Sequence, residues 1–253
     1  MRIETNERLV KRNKQIGTYL FLFSMAVLVG GFILANGSLF NIEGLESISD
    51  ALYLTIMPLV LVIGMISTFV SVRMTNLWFR VPRPENLIEQ SLKGLGKKGA
   101  LYNYFHFPAR HVLIAPQGVF AIVTRFQEGS YRVEGSKWRT FRTPIGRIFS
   151  IFRMDGINNP TLDAQMAAEH VQDILRSINA EVPVHPLILF TDSRARLEIF
   201  NSTVPVLYAD PKQEPNLKDY LRDFPKEGRV TLTQEQIDQF DEATRGSSKR
   251  KRG

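Results

Sequence analysis

Two stretches near the start of the chain carry no charge. Residues 16–35 (IGTYLFLFSMAVLVGGFILA) are uncharged over 20 positions, and residues 51–72 form a second uncharged apolar run with Pro58 inside it. At about 1.5 Å of rise per residue such a run covers roughly 30 Å, the thickness of the hydrocarbon layer. The pattern predicts a transmembrane hairpin with spans 16–35 and 51–72; Pro58 is tolerable where neighbouring groups satisfy the carbonyl it frees. A cleaved leader competes for the first run, because basic residues precede it and Ala35 could end it. Against that, the run is longer than the apolar core of a signal peptide, about 7–15 residues, and a second span follows.

Beyond Val72 the periodicity changes. VPRPEN, from Val81, reads as the end of a linker over 73–84, since each proline disfavours helix at the residue before it. Leu87, Ile88, Leu92 and Leu95 have helical spacing and predict a helix over 85–95 closed by Gly94, Gly96 and Gly99. Apolar runs at 101–107, 111–115 and 118–124, the last two separated by Pro116-Gln117-Gly118, predict a β-meander, and the pair 131–133 and 137–141 around Glu134-Gly135-Ser136 continues the hairpin pattern. An amphipathic helix follows over 161–179, then two nearly continuous apolar strands at 184–190 and 204–209 that suit a sheet buried on both faces. Helices over 214–224 and 233–244 complete the order, the latter opened by the capping pair Thr233 and Gln236. The order is that of an α/β layer fold with a mixed sheet, occupying 85–244.

Charge adds an orientation. The 32 Lys and Arg exceed the 25 Asp and Glu by seven. Arg2, Arg8, Lys11, Arg12 and Lys14 precede the first span, and Arg73, Arg80 and Arg83 follow the second. The connecting loop holds only Glu43, Glu46 and Asp50, so both termini are expected in the cytosol, with residues 1–15 as a basic cytosolic segment. Tyr19, Tyr53, Trp78 and Phe79 fall near the expected interfaces. Between Arg73 and Arg153 there are 14 basic and 4 acidic residues, and between Met154 and Thr244 there are 8 and 16. A basic half beside a membrane fits anionic headgroups, and a nucleic-acid surface is the other reading. The tail 245–253, RGSSKRKRG, has no apolar residue and is expected to be disordered.

Chemistry is sparse. Without cysteine there is no disulfide, thiol nucleophile or thiolate metal site. His106, His111, His170 and His185 show no ligand spacing and read as core-edge or surface residues. GLGKKG closes a helix rather than opening one, so it does not read as a phosphate-cradling loop. There is no Gly-x-Ser-x-Gly elbow, Trp138 reads as a packing residue, and the acceptor triplet Asn201-Ser202-Thr203 has no meaning in a cytosolic domain.

The segment HVLIAPQGVFAIVTR from His111, then Gly129, Val133, Gly135 and Trp138, then NNPTLDAQ from Asn158 and VPVHPLILF from Val182, resembles the NERD (nuclease-related) domain, a branch of the PD-(D/E)XK nuclease-like fold, over about residues 85–209. The resemblance implies an acid at the start of the second strand and an acid two residues before a lysine on the third, which together hold Mg²⁺ against a scissile phosphate. Aligned on Gly118, Val119 and Phe120, those positions fall at Arg110, Val123 and Arg125. Glu85 matches the glutamate of the family's first helix. A cation at a metal-acid position repels Mg²⁺, so what the resemblance implies is a nuclease-like domain without metal, cofactor or cutting activity, and no catalytic residue is assigned.

Such a domain would serve as a membrane-anchored binding or scaffolding module for an anionic partner, nucleic acid or phospholipid, through Arg110, Arg125, Arg132, Arg139 and Arg142. The alternative is a membrane-tethered, Mg²⁺-dependent nuclease with relocated acids. Glu169, one helical turn after Gln165, and Glu128, just past the third strand, are its candidates. The expected location is the plasma membrane of a prokaryote, as a two-pass integral protein.

Overall fold

The computed structural model describes residues 1–36, 50–95, 99–141, 156–225 and 230–250. These fall into two compact units. One consists mainly of residues 8–81; the other joins residues 1–7 to the chain beyond residue 82.

The first unit holds α1 (Glu7–Ala35) and α2 (Asp50–Trp78). Both are long and apolar enough to cross a membrane, and few residues of their apolar windows are buried. Both outrun the uncharged stretches that announced them. The charged residues at positions 8–14 and 73 are good helix formers, so the ladder continues past the apolar segment, and α2 takes up the first half of the expected linker. The helices run antiparallel and touch through glycines. A Cβ on Gly31 would lie 2.7 Å from Val60, and one on Gly64 would lie 3.2 Å from Leu28, whereas a Cβ on Gly30 would meet nothing within 4 Å. Small residues allow this close approach. Gly31→Leu is expected to loosen the hairpin and lower its melting temperature in detergent, whereas Gly30→Leu leaves it unchanged; equal melting of the two variants would contradict the packing. Glu43 and Glu46 lie outside the described residues.

The second unit is mixed α/β. Among the described residues, one six-stranded sheet runs in the order β1 (Arg2–Thr5), β2 (Ala100–His106), β3 (Ala109–Ala115), β4 (Gly118–Arg125), β7 (Val184–Phe190) and β9 (Val206–Tyr208). The meander β2-β3-β4 is antiparallel, and β1, β7 and β9 join it in parallel. Alternation along β3 and β4 sends Val112, Ile114, Val119, Ala121 and Val123 to one face. There they pack with α4 (Pro160–Ser177) and with Phe240 of α6 (Gln234–Arg250). The opposite set, Leu113, Phe120 and Ile122, packs with α3 (Pro84–Ser91) and α5 (Leu217–Asp223). A second sheet, in the order β6 (Lys137–Phe141), β5 (Gly129–Glu134) and β8 (Ala195–Phe200), lays Tyr131, Val133 and Trp138 on the α4-side core.

Caps fix the helix starts. The Asn159 side chain accepts from the Leu162 amide at 3.2 Å and that of Asn216 from the Asp219 amide at 2.8 Å. At α6 the expected capping box is complete, with the Gln236 amide donating to Thr233 Oγ1 at 3.2 Å and the Thr233 amide to Gln236 Oε1 at 3.0 Å.

Four expectations need correction. The basic N-terminal segment contains a strand, β1, which pairs with β2 from Arg2↔Ala100 to Thr5↔Asn103. The hairpin after the meander belongs to a separate sheet, because β8 pairs with β5. The first cytosolic helix stops at Ser91 rather than Leu95. The last helix continues to Arg250 instead of giving way to a disordered tail at 245; once nucleated, a helix gains one bond per added residue.

Candidate functional site

One end of the meander gathers the charged residues. Because β3 is antiparallel to both neighbours, its start at Ala109-Arg110 lies beside the ends of β2 and β4. The first turns of α3 and α4 reach the same end, through contacts from Glu85 to Tyr104 and from Asp163 to Arg125.

On the α4 side, Arg125 follows Val123 by two residues and so shares its face. Its Nη2 forms an ion pair with Asp163, its Nη1 donates to the Thr124 carbonyl at 3.1 Å, and its Nε is buried with no partner among the described residues. The side chain is only 12% exposed, against 47% for Asp163. Burial draws the Arg125 pKa downward, Asp163 opposes that, and the neighbouring Arg110 adds to it. Arg110 alternates with Val112 and Ile114, which places it on this same face.

On the α3 side, Glu85 is buried, pairs with Arg83, and accepts from the Tyr104 hydroxyl at 2.7 Å. Tyr104 has φ of 66°, an outlying conformation for a bulky residue, within the irregular pairing between Asn103 and His106. The Asn6 amide group of the side chain donates to the Tyr104 carbonyl at 3.3 Å and supports that bulge. Burial, then the Glu85 carboxylate, raises the Tyr104 phenol, which stays a neutral donor. His111 is fully buried; its Nδ1 meets Asn103 Oδ1 at 2.8 Å, and its Nε2 has no partner among the described residues. Burial pushes it down to about 3, with Arg110 and Arg83 contributing.

Val123 lies in the core against α4, so a carboxylate there would be desolvated by the helix. Gln165 and Glu169 are exposed, on the side of α4 away from its buried Ala164, Ala167, Ala168 and Val171. Glu128 pairs with Arg194 at 2.6 Å. These three therefore do not join Glu85, and among the described residues no three His, Asp or Glu side chains stand where they could share a metal ion.

The expected anion-binding set divides. Arg110 and Arg125 share this charged end of the meander, the candidate cleft, whereas Arg132 and Arg139 lie on the outer face of the second sheet, opposite each other in β5 and β6; Arg142 lies outside the described residues. Sequence reasoning missed Arg83, Tyr104 and Asp163 as members of the cleft. Asp163 had one legible signal, its place in the first turn of an amphipathic helix two residues before Gln165.

The remaining singled-out residues pack. Trp138 Nε1 donates to Thr161 Oγ1 at 2.8 Å and the ring stacks on Phe190. His106 meets Thr244 Oγ1 at 2.8 Å, and His185 lies against Phe120 and Phe224. Compared with protein-family models, with curated proteins and with solved structures, the chain matches none of them.

Proposed function

We propose that the chain is a two-pass integral membrane protein whose α/β unit is a nuclease-like module without cutting activity, one that binds a phosphate-bearing partner by fixed arginine charge. The order α3-β2-β3-β4-β5-β6-α4-β7, with β7 parallel to β4, supports the nuclease-like reading, since the resemblance rests on this succession of elements together with the segments that form them. The membrane reading draws on α1 and α2, and β1 adds to it. A strand that precedes both spans pairs with one that follows them, so the N-terminus and the α/β unit share a side, as two crossings require. Basic flanks make that side cytosolic. Cleavage after Ala35 would remove this strand.

The observation that carries the binding reading is the buried, partnerless Nε of Arg125 beside the charge of Arg110. An unmet buried donor costs about 1–3 kcal/mol, and an anion oxygen in the cleft would recover that cost. Asp163 takes Nη2 and the Thr124 carbonyl takes Nη1, so Nε is the donor left for a ligand. Glu85 holds Arg83 in the same way, so the cleft is only modestly positive.

The test uses the whole protein in phosphatidylcholine nanodiscs, a labelled DNA duplex, and inorganic phosphate as competitor. Affinity is expected to fall with salt by a log-log slope of about 0.9 per phosphate contacted. Arg110→Ala with Arg125→Ala should weaken binding at least tenfold, while Arg176→Ala with Arg222→Ala leaves it unchanged, and added Mg²⁺ produces no cleavage. Unaltered affinity and salt slope in the first double variant would make these arginines structural; Mg²⁺-dependent cutting abolished by Glu85→Gln would restore the nuclease reading.

A further inference from the structure

The outer face of the second sheet has no role in the cleft. Its outward positions alternate with Tyr131, Val133 and Trp138, which enter the core. They align in cross-strand rows: Phe141, Ser130 and Arg196; Arg139, Arg132 and Glu198; Lys137, Glu134 and Phe200. Phe141 and Phe200 are 50% and 51% exposed. The Arg132 guanidinium lies over both rings, 5.3 Å and 5.5 Å from their centroids, and its Nε donates to Glu198 at 2.6 Å. Arg139 and Arg196 are exposed and form no ion pair among the described residues.

We infer that this face docks on the surface of a bilayer containing anionic phospholipid, with Arg139, Arg196 and Lys137 against headgroup phosphates and Phe141 and Phe200 at the headgroup level. A single exposed phenyl ring is unremarkable, but two on one sheet face, held by a shared guanidinium, form a prepared apolar pair. Phenyl rings and long cationic side chains both favour the membrane interface, the latter because their stems stay on apolar surface while the charge reaches the phosphates. Base stacking suits the face less well, because Arg132 already covers one side of each ring. The inference rests on α1 and α2 being membrane spans, since the tether keeps the sheet at high local concentration near lipid.

The chain has no cysteine, so Ser130→Cys places a single nitroxide on the face between Phe141 and Arg196, and Lys212→Cys provides a control. The full chain is reconstituted in discs of phosphatidylcholine alone and in discs that also carry phosphatidylglycerol. The Ser130 label is expected to lose access to an aqueous nickel chelate and gain access to oxygen only in the anionic discs, with the Lys212 label unchanged in both. Arg139→Gln with Arg196→Gln, which breaks no ion pair, should lower the ratio of docked to undocked protein about thirtyfold, at roughly fivefold per cation near such a surface. Equal nickel access in both discs overturns the inference and leaves the span reading intact. Protection of the label by a DNA oligonucleotide in neutral discs, with none from anionic lipid, assigns the face to nucleic acid and overturns it too. A chain recovered outside discs of either composition overturns the span reading itself, and the inference with it.

Discussion

Deleting residues 2–5 is expected to destabilise the α/β unit by about 3 kcal/mol and lower its melting temperature by about 6–12 °C. The strand is short, but its first residue belongs to a network that closes the sheet against the last helix. Arg2 Nη2 donates to the Tyr102 hydroxyl at 2.6 Å and to Asp241 Oδ1 at 2.6 Å, and the Tyr102 hydroxyl donates to the same Asp241 oxygen. The Tyr102 ring is buried against Phe240. Asp241 is 13% exposed and Arg2 41%, so losing the arginine leaves a mostly buried carboxylate without its cation. The cost belongs at the low end of the range for breaking such a pair because Arg2 itself is well solvated. Arg2→Ala alone should reproduce most of the loss. Glu4→Pro should add a smaller one: Arg2 and Asn6 donate backbone bonds to Gly99 and Asn103, and alternation gives Glu4 the ladder bond between them. Arg8, Lys11, Arg12 and Lys14 stay in the deletion variant, so the orienting charge before the first span persists. A thermal melt displaced by less than 2 °C would show that β1 is an ornament of the sheet rather than a part of it.

β1 also illustrates what the sequence conceals. Its four residues include two charges, and Thr5 finds Asn103 at a separation of 98 residues; no local periodicity reports such a pairing. The meander and α4 were legible because their signals are local, an apolar run bounded by Pro-Gln-Gly chemistry and a 3.6-residue stripe. β8 did carry a strand signal, with Leu197 and Ile199 inward and Arg196, Glu198 and Phe200 outward, but its partner β5 lies far earlier in the chain. Without that partner the β5-β6 hairpin reads as an extension of the meander. In the cleft, alternation alone brought Arg110 and Arg125 to one face. It could not supply Asp163, 38 residues from Arg125, because an acid in a first helical turn is favoured by the helix dipole whether or not it serves a site. Tyr104 escaped notice for a different reason: its position depends on a bulge with positive φ that Asn6 supports from just beyond β1, and a tyrosine announces no such conformation.

Acidification from pH 6.5 to pH 5 is expected to remove about 3 kcal/mol of stability from the same unit, through two buried imidazoles. His106 is held neutral at about 4 and His111 at about 3, against 6.5 when solvated, chiefly by burial. The remaining influences point the same way: His170 bears on His106, and Arg110 and Arg83 bear on His111. Both folded values lie below the unfolded one, so the unfolded chain binds more protons throughout the interval. The stability these groups provide is present above pH 6.5 and is lost as pH falls toward 4 and then 3. Around pH 5 these two groups should contribute an uptake of about two protons on unfolding, a slope near 2.7 kcal/mol per pH unit, to which His185, also lowered by burial, adds in the same direction. Beside burial, the hydrogen bonding of His111 opposes its protonation. Asn103 Nδ2 donates to Thr5 Oγ1 at 3.1 Å, which turns its Oδ1 toward His111 Nδ1. The proton therefore sits on Nδ1, and a second one on Nε2 would be a buried donor with no acceptor. Unfolding followed by calorimetry in buffers of different ionisation enthalpy counts the protons directly. His106→Gln should lower the count by about one proton and the slope by about 1.4 kcal/mol per pH unit, since the two rings are independent sites. An uptake near zero at pH 5 in the unsubstituted protein would mean that both imidazoles are already charged in the folded state, and that His111 Nε2 has an acceptor.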